Sequence, residues 1–331
     1  MIKAHKSPML TTVLLCCCVY LAAQSDPSPY SLSILANVID RNGRPVRDLT
    51  KDQFQIKVDG RPVGHLEATY GVAPRRIVVL LDMSASMSGE IATNKFEIAR
   101  EAIKDLLEDP PDDVSIALVT FSNQVHDVFD FSQSRNSMAR WLEEGSGKQG
   151  SPQVHGRTAL FDAMQTAGKL FVPPCPGDAL YLISDAGDNS SHVRPEEVRE
   201  LLVRSQIRLF VFLLGDSIFF PVEDEESETR EIKEIARATG GIVFGVPGYY
   251  RGVLGFESWQ PAFHHGERMQ EKIKIYTQLL NTQVNGFYTL RFDLPSASGK
   301  KRKVSLNIVD DGGKPRKDVA FTYSTLLPQP K

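Results

Sequence analysis

Outside its first two dozen residues this chain has almost no cysteine. Four occur in 331 residues, and Cys16, Cys17 and Cys18 lie together near the start. Cys175 is left without an intramolecular partner, so the fold cannot depend on a disulfide, even in an oxidising compartment. Its setting, Pro173-Pro174-Cys175-Pro176-Gly177, reads as a turn. A catalytic thiol needs a helix N-terminus or a basic pocket to lower its pKa, and neither is written there. Excess positive charge is lacking too. The net charge is −3, and about −5 once Lys3 and Lys6 are set aside, which argues against the basic footprint of a nucleic-acid binder. No apolar run reaches the ~20 residues of a membrane-spanning helix. A P-loop, a dinucleotide-binding glycine fingerprint and a GxSxG elbow are all missing. We find no internal repeat and no low-complexity tract.

The chain does begin with a leader. Lys3, His5 and Lys6 precede an apolar run from Met9 to Ala23, followed by Gln24, Ser25, Asp26 and Pro27. A basic region, an apolar core and small residues before a polar stretch predict a secretory signal peptide over residues 1–24. An uncleaved anchor is the alternative. Lipid modification of a cysteine in the run is disfavoured, because it would leave Val19–Ala23 dangling at the new terminus. The expectation is a secreted or periplasmic protein with no transmembrane span after cleavage. The remainder, from a chain with 41% hydrophobic and 24% charged residues, suffices for one large domain and a smaller one.

Residues 25–73 read as a β segment, with hairpin signals at Asn42-Gly43 and Asp59-Gly60. Over 74–283 apolar strands alternate with helical patterns, which predicts an α/β domain with a doubly wound, mostly parallel, Rossmann-like sheet. Strands are expected at 76–81, 114–121, 179–184, 207–214 and 241–245, with an edge strand near 125–130. Helices are expected at 91–108, 135–144, 158–171, 195–205, 229–239 and 267–283. The last puts Ile273, Tyr276, Leu279 and Leu280 on one stripe facing the sheet. Residues 284–331 return to strands. Neither β flank is long enough to bury a core alone, so the two should combine into one sandwich-like module with the α/β domain inserted between them.

The most informative stretch is Asp82-Met83-Ser84-Ala85-Ser86, directly after the apolar run Ile77–Leu81. A carboxylate and two hydroxyls at alternate positions, on the turn that ends a buried strand, suit a hard divalent cation, which prefers oxygen ligands. Gly156-Arg157-Thr158-Ala159-Leu160 and Leu182-Ile183-Ser184-Asp185 can complete the shell. This ordered set resembles the von Willebrand factor type A domain with a metal-ion-dependent adhesion site. The flanks "VVLLDMSASM", "GRTALFDAM" and "LYLISDAGDNSS" carry the likeness over roughly 74–283, and "DRNGRPVRDLTKDQFQIKVDGRPV" is similar to the leader of a bacterial, notably acidobacterial, family of secreted relatives. The resemblance implies Asp82, Ser84, Ser86, Thr158 and Asp185 as the metal set. Ser84, Ser86 and Thr158 would bind directly, and the two carboxylates largely through water. Ala186-Gly187 departs from the usual pattern, leaving Asp188 as a competitor to Asp185, which is favoured because it ends the strand. Mg2+ is the expected ion, with Mn2+ and Ca2+ as alternatives.

These readings imply divalent-cation-dependent binding, in adhesion or assembly, of a protein or extracellular ligand that presents a carboxylate. The alternative is a structural or envelope-assembly component in which the metal only stabilises the fold. An enzyme is not expected, since His126, His155 and His192 are scattered and His264-His265 lacks the i, i+4 spacing of a zinc pair. The acidic run 223–234 reads as a solvated loop whose acids favour the N-terminal end of a helix dipole, or alternatively as a second cation site. The aromatic, Gly-rich segment 244–263 reads as cover for a sheet edge or domain junction, or alternatively as a recognition surface.

Overall fold

The computed structural model describes residues 30–71, 75–88, 95–108, 114–144, 154–214, 225–246, 269–294 and 302–327. The first flank supplies β1 (Tyr30–Asp40), β2 (Phe54–Val58), β3 (Arg61–Pro62) and β4 (Leu66–Gly71). Next come β5 (Arg75–Asp82), α1 (Lys95–Glu108), β6 (Val114–Phe121), β7 (Val125–Phe129), α2 (Arg135–Glu144) and α3 (Leu160–Gly168). The layer continues with β8 (Ala179–Ser184), α4 (Pro195–Ser205), β9 (Arg208–Leu214), α5 (Glu225–Thr239), β10 (Val243–Val246) and α6 (Met269–Asn285). The second flank adds β11 (Phe287–Leu294), β12 (Val304–Ile308) and β13 (Val319–Tyr323).

The central sheet runs β10-β9-β8-β5-β6-β7, and only the edge strand β7 is antiparallel to its neighbour. Its middle strands are unbroken apolar runs because both faces are covered. Side chains alternate between the faces. Ile77, Val79 and Leu81 pack with Phe96 and Ile103 of α1, Leu142 of α2, and Leu280 and Val284 of α6. Val78 and Leu80 pack with Leu160 and Met164 of α3, Val198 and Leu202 of α4, and Ile232 of α5. Leu279 and Leu280 are buried as their stripe requires, while the side chains of Ile273 and Tyr276 lie outside the described residues, as do positions 91–94.

Two boundaries move for physical reasons. The helix expected over 158–171 spans only Leu160–Gly168; at its start the Thr158 carbonyl, which a helix beginning there would offer to Asp162, accepts the Asn189 and Ser190 N–H groups, and the Asp162 N–H goes to Ser191 Oγ. The strand expected from 241 starts at Val243. Gly241 lies so close to β9 that a Cβ there would stand 1.8 Å from the Leu209 carbonyl oxygen.

The two flanks build one sandwich. One sheet runs β13-β1-β11-β4 and the other β12-β2-β3. In the first, β11 lies between β1 and β4, from Tyr30↔Leu294 to Ala36↔Tyr288 on one side and from Phe287↔Gly71 to Phe292↔Leu66 on the other. In the second, β2 pairs with β12. Ile34, Phe54, Ile56, Leu290, Phe292, Leu306 and Ile308 share the core between them. Each sheet therefore contains strands from both flanks. A short likeness that the sequence reading missed appears at two turns. Asp40 Oδ1 accepts the N–H of Asn42 and Arg44 after β1, and Asp310 Oδ1 accepts those of Gly312 and Lys314 after β12.

Arg208 joins the sandwich to the central layer. It is 1% exposed, donates to Asn37 Oδ1 and the Gln283 carbonyl at 2.8 Å each, and lies over the rings of Phe210 and Phe287. Burial, aided by Arg75, pulls its pKa down to about 9, with Asp178 opposing, so it stays charged at neutral pH. Thr322 and Ser324 beside β13 add hydrogen bonds to the Gly240 and Thr239 carbonyls. Gly240 takes φ +78°, and a Cβ there would come within 2.7 Å of the Ser324 nitrogen.

Arg208→Met keeps the stem but strands the Asn37 Oδ1 acceptor, while the Gln283 carbonyl keeps only the Asn37 side-chain amide. We expect a loss of about 2–4 kcal/mol in urea unfolding, with near-UV signals from both layers lost in one transition. Unfolding of the sandwich with the central layer unaffected would contradict the linking role.

Candidate metal centre

The site lies at the carboxyl ends of β5 and β8, which are paired neighbours up to Leu81↔Ile183. Asp82 ends β5 with 0% exposure. Its Oδ1 accepts the Ser84 N–H at 2.8 Å, and its Oδ2 accepts the Ser184 hydroxyl at 2.6 Å. Ser184 Oγ in turn accepts the Ala186 N–H at 2.9 Å. The first of these bonds bends the chain so that Ser84 and Ser86 share a side, with their Oγ atoms 3.1 Å apart. Burial first, then the charge of Asp185, pushes the Asp82 carboxyl up to about 6, against hydrogen bonds from Ser184 and Ser84.

The second loop is laced to the first. The His155 N–H donates to the Met83 carbonyl at 2.9 Å, and the Ala85 N–H to the Gly156 carbonyl at 3.1 Å. Thr158 is 3% exposed. Its N–H donates to Asn189 Oδ1 at 2.9 Å, and its carbonyl accepts the N–H of Asn189 and of Ser190 at 3.0 Å each. Arg157, exposed on the rim, donates to the Asn189 carbonyl.

The third loop separates the two rival carboxylates. Asp188 Oδ1 accepts the Leu160 N–H at 2.9 Å and the Ser191 hydroxyl at 2.6 Å, and Ser191 Oγ accepts the N–H groups of Phe161 and Asp162. Asp188 and Ser191 thus satisfy the otherwise unpaired donors at the start of α3. Asp185 makes no such bond to α3. Its Oδ2 accepts the Lys95 ammonium at 2.9 Å, and its Oδ1 is buried without a hydrogen-bond partner among the described residues. Ala186, at the noted departure from pattern, takes φ +77°, a left-handed conformation that turns the chain between the two acids.

These residues have the right chemistry for a hard cation. Among the described residues no three His, Cys, Asp or Glu side chains converge, so an ion here would rely on the hydroxyls of Ser84, Ser86 and Thr158 with Asp82 and Asp185. An oxygen-only donor set of this kind suits Mg2+, Mn2+ or Ca2+ better than a soft metal. The orphaned Asp185 oxygen is the group such an ion would satisfy.

One pairing was not legible in the sequence. The Ser122 hydroxyl and His126 Nε2 lie 2.6 Å apart, and the His126 ring stacks on His155 at 6.5 Å. Ser122 is fully buried, so the pair ties the loop after β6 to β7 and presents no nucleophile to solvent. His192 caps outward onto Asp162. Cys175 is exposed, and its N–H donates to Asp178. His264-His265 and residues 247–263 lie outside the described residues. Phe244, the first of the aromatic segment, stacks on Tyr181 and Phe212 inside the core.

Two outcomes follow from this geometry. Asp188→Ala should cost about 1–2 kcal/mol of stability as a lost helix cap while leaving divalent binding within about twofold by calorimetric titration; a loss of binding would make Asp188 a ligand. In metal-free protein the folded pKa of Asp82 lies above its ordinary value of 3.8, so the folded state holds the extra proton. Stability should fall as pH rises from about 4 to 6 and then level off, by roughly 3 kcal/mol from this residue. Urea unfolding of wild type and Asp82→Asn in chelator checks this, because the variant should be flatter over that window.

Residues 77–187 match the family model described as the von Willebrand factor type A domain, and all five candidate ligands fall inside that span. No curated protein sequence matches the chain at a significant level. Among solved structures, an aerotolerance-related membrane protein from Bacteroides fragilis is 18% identical with a TM-score of 0.42, covering 65% of this chain and 99% of its own. A von Willebrand factor type A protein from Catenulispora acidiphila is 12% identical with a TM-score of 0.45, covering 92% of this chain and 75% of its own. Proximal thread matrix protein 1 from the mussel byssus, solved with a zinc-occupied MIDAS motif, is 16% identical with a TM-score of 0.45; the match covers 67% of this chain and about half, 49%, of that protein. The central layer is an α/β fold of the type A kind, flanked by antiparallel sheets.

Proposed function

We propose that this chain is a binding protein whose type A layer holds a divalent cation and uses it to capture an acidic group on another protein or extracellular ligand. The observation that carries this reading is the arrangement of three loops, hydrogen-bonded to one another, around two carboxylates and three hydroxyls, with one buried carboxylate oxygen of Asp185 unsatisfied. Ser84, Ser86 and Thr158 would hold the ion, and Asp82 and Asp185 would balance its charge and orient its waters. A hydroxyl-rich shell leaves a bound dication with net positive character and an open position for a carboxylate oxygen. Mg2+ is the ion we favour, because it keeps waters and needs few protein carboxylates.

Binding rather than catalysis is supported by the fixed roles of the nearby groups. Asp82 is fully engaged by Ser84 and Ser184, and Ser122 is buried under His126. We place the protein outside the cytoplasm, a reading supported by the signal-like pattern of residues 1–24. No helix among the described residues is long and apolar enough to cross a membrane.

Titration of Mg2+, Mn2+ and Ca2+ into metal-free residues 25–331 should give saturable binding that disappears in the double variant Asp82→Ala/Thr158→Ala. A folded wild type that binds none of the three would remove the basis of this reading. Retained partner capture by a metal-free variant would favour the alternative in which the metal only supports the fold.

A further inference from the structure

Lys95 stands out among the charged groups that the proposed ligand set does not use. It is 5% exposed, and its ammonium donates to Asp185 Oδ2 at 2.9 Å. The two side chains are only 6% and 9% exposed. A buried ammonium carries a large desolvation cost and is retained where a carboxylate offsets it. The position is therefore specific, since a lysine free to point outward would extend its four-carbon stem into water. Asp185 is also the carboxylate whose other oxygen is buried and unsatisfied.

The geometry points to Lys95 as a built-in counter-ion that occupies Asp185 in the metal-free protein and competes with a hard divalent cation for it, setting the concentration at which the site loads. This rests on the metal-binding reading above. The competition for one carboxylate gives the direction. A dication drawn to Asp82 and Asp185 meets an ammonium already paired with Asp185 Oδ2, and the two cations then share that carboxylate. Like charges at this depth repel strongly because little water screens them. Loading is thus easier when the ammonium leaves Asp185, and its flexible stem lets it do so without moving α1. The metal-free site is kept from collapse or acid repulsion by the same residue. Lys95 is a positioning residue in this scheme and not an ion ligand.

The test uses residues 25–331 carrying Lys95→Met, Lys95→Gln or Lys95→Arg beside wild type, titrated with Mg2+ and Mn2+ at one pH. Loss of the charge should tighten Mg2+ binding at least tenfold in Lys95→Met and Lys95→Gln, while Lys95→Arg stays close to wild type. The melting temperature of metal-free Lys95→Met should fall, and added Mg2+ should raise it by more than it raises wild type. Equal or weaker Mg2+ affinity in the folded neutral variants, with wild type binding normally, overturns the competition and leaves the metal site standing. No binding by any of the proteins overturns both. A second measurement needs no variant. Labelling of wild-type Lys95 by an amine-reactive reagent, read by mass spectrometry, should rise on saturation with Mg2+, and labelling unchanged at saturation counts against the exchange.

Discussion

The structure depends on a cation placed where water cannot reach it. Arg208 opens β9 inside the seam between the central sheet and the sandwich, where its hydrogen bonds go to neutral acceptors and two aromatic faces lie against it. Such a charge is tolerable only while Asn37, Gln283 and Phe287 stay in place, and these come from β1, α6 and β11. The nearby Asp178 carboxylate offsets part of it against the like charge of Arg75, and Arg76 grips the fully buried Asp178 through two hydrogen bonds of 2.9 and 2.7 Å. The amino ends of β5, β8 and β9 are thereby fixed to what lies beneath them. Their carboxyl ends remain for loops, which is where an open α/β sheet puts its ligands.

At those carboxyl ends the loops are held by the protein itself. Backbone bonds join the turn after β5 to residues 155–156, and Thr158 to 189–190. Asp188 and Ser191 cap α3. The scaffold is therefore preorganised, and an ion would add charge balance more than shape. Lys95 supplies part of that balance by pairing with Asp185.

Much of this was legible in the sequence. Continuous apolar runs such as Ile77–Leu81 signal strands buried on both faces, and their alternation with amphipathic segments signals the parallel layer. Asp59-Gly60 turns β2 into β3 with φ of 50° and 81°, as the residue types imply. The five candidate ligands were expected at strand ends and a helix start, and Asp82 does end β5 while Thr158 precedes α3. What could not be read depends on partners distant in sequence. Nothing local to Lys95 announces Asp185, 90 positions later. That Asp188 and not Asp185 caps the start of α3 was likewise hidden, since the partners lie 28 positions apart. The late start of that helix was set by Asn189 and Ser190, which take the Thr158 carbonyl and which no local propensity contains.

The interleaving of the flanks also bears on the order in which the chain can become a protein. Leu49 finds the Tyr288 hydroxyl 239 residues further on, and β11 must slide between β1 and β4, strands that precede the whole central layer. A chain emerging from its amino end exposes β1 and β4 as unpaired edges until nearly everything else has been made. Contacts this non-local form slowly, and open edges invite pairing with other chains. The central layer, whose contacts are nearer in sequence, is free to form first and to hold the two distant edges of the sandwich at a fixed separation. Completion of the protein then falls to its last strands, which act as the closing stitch on a seam laid open at the start.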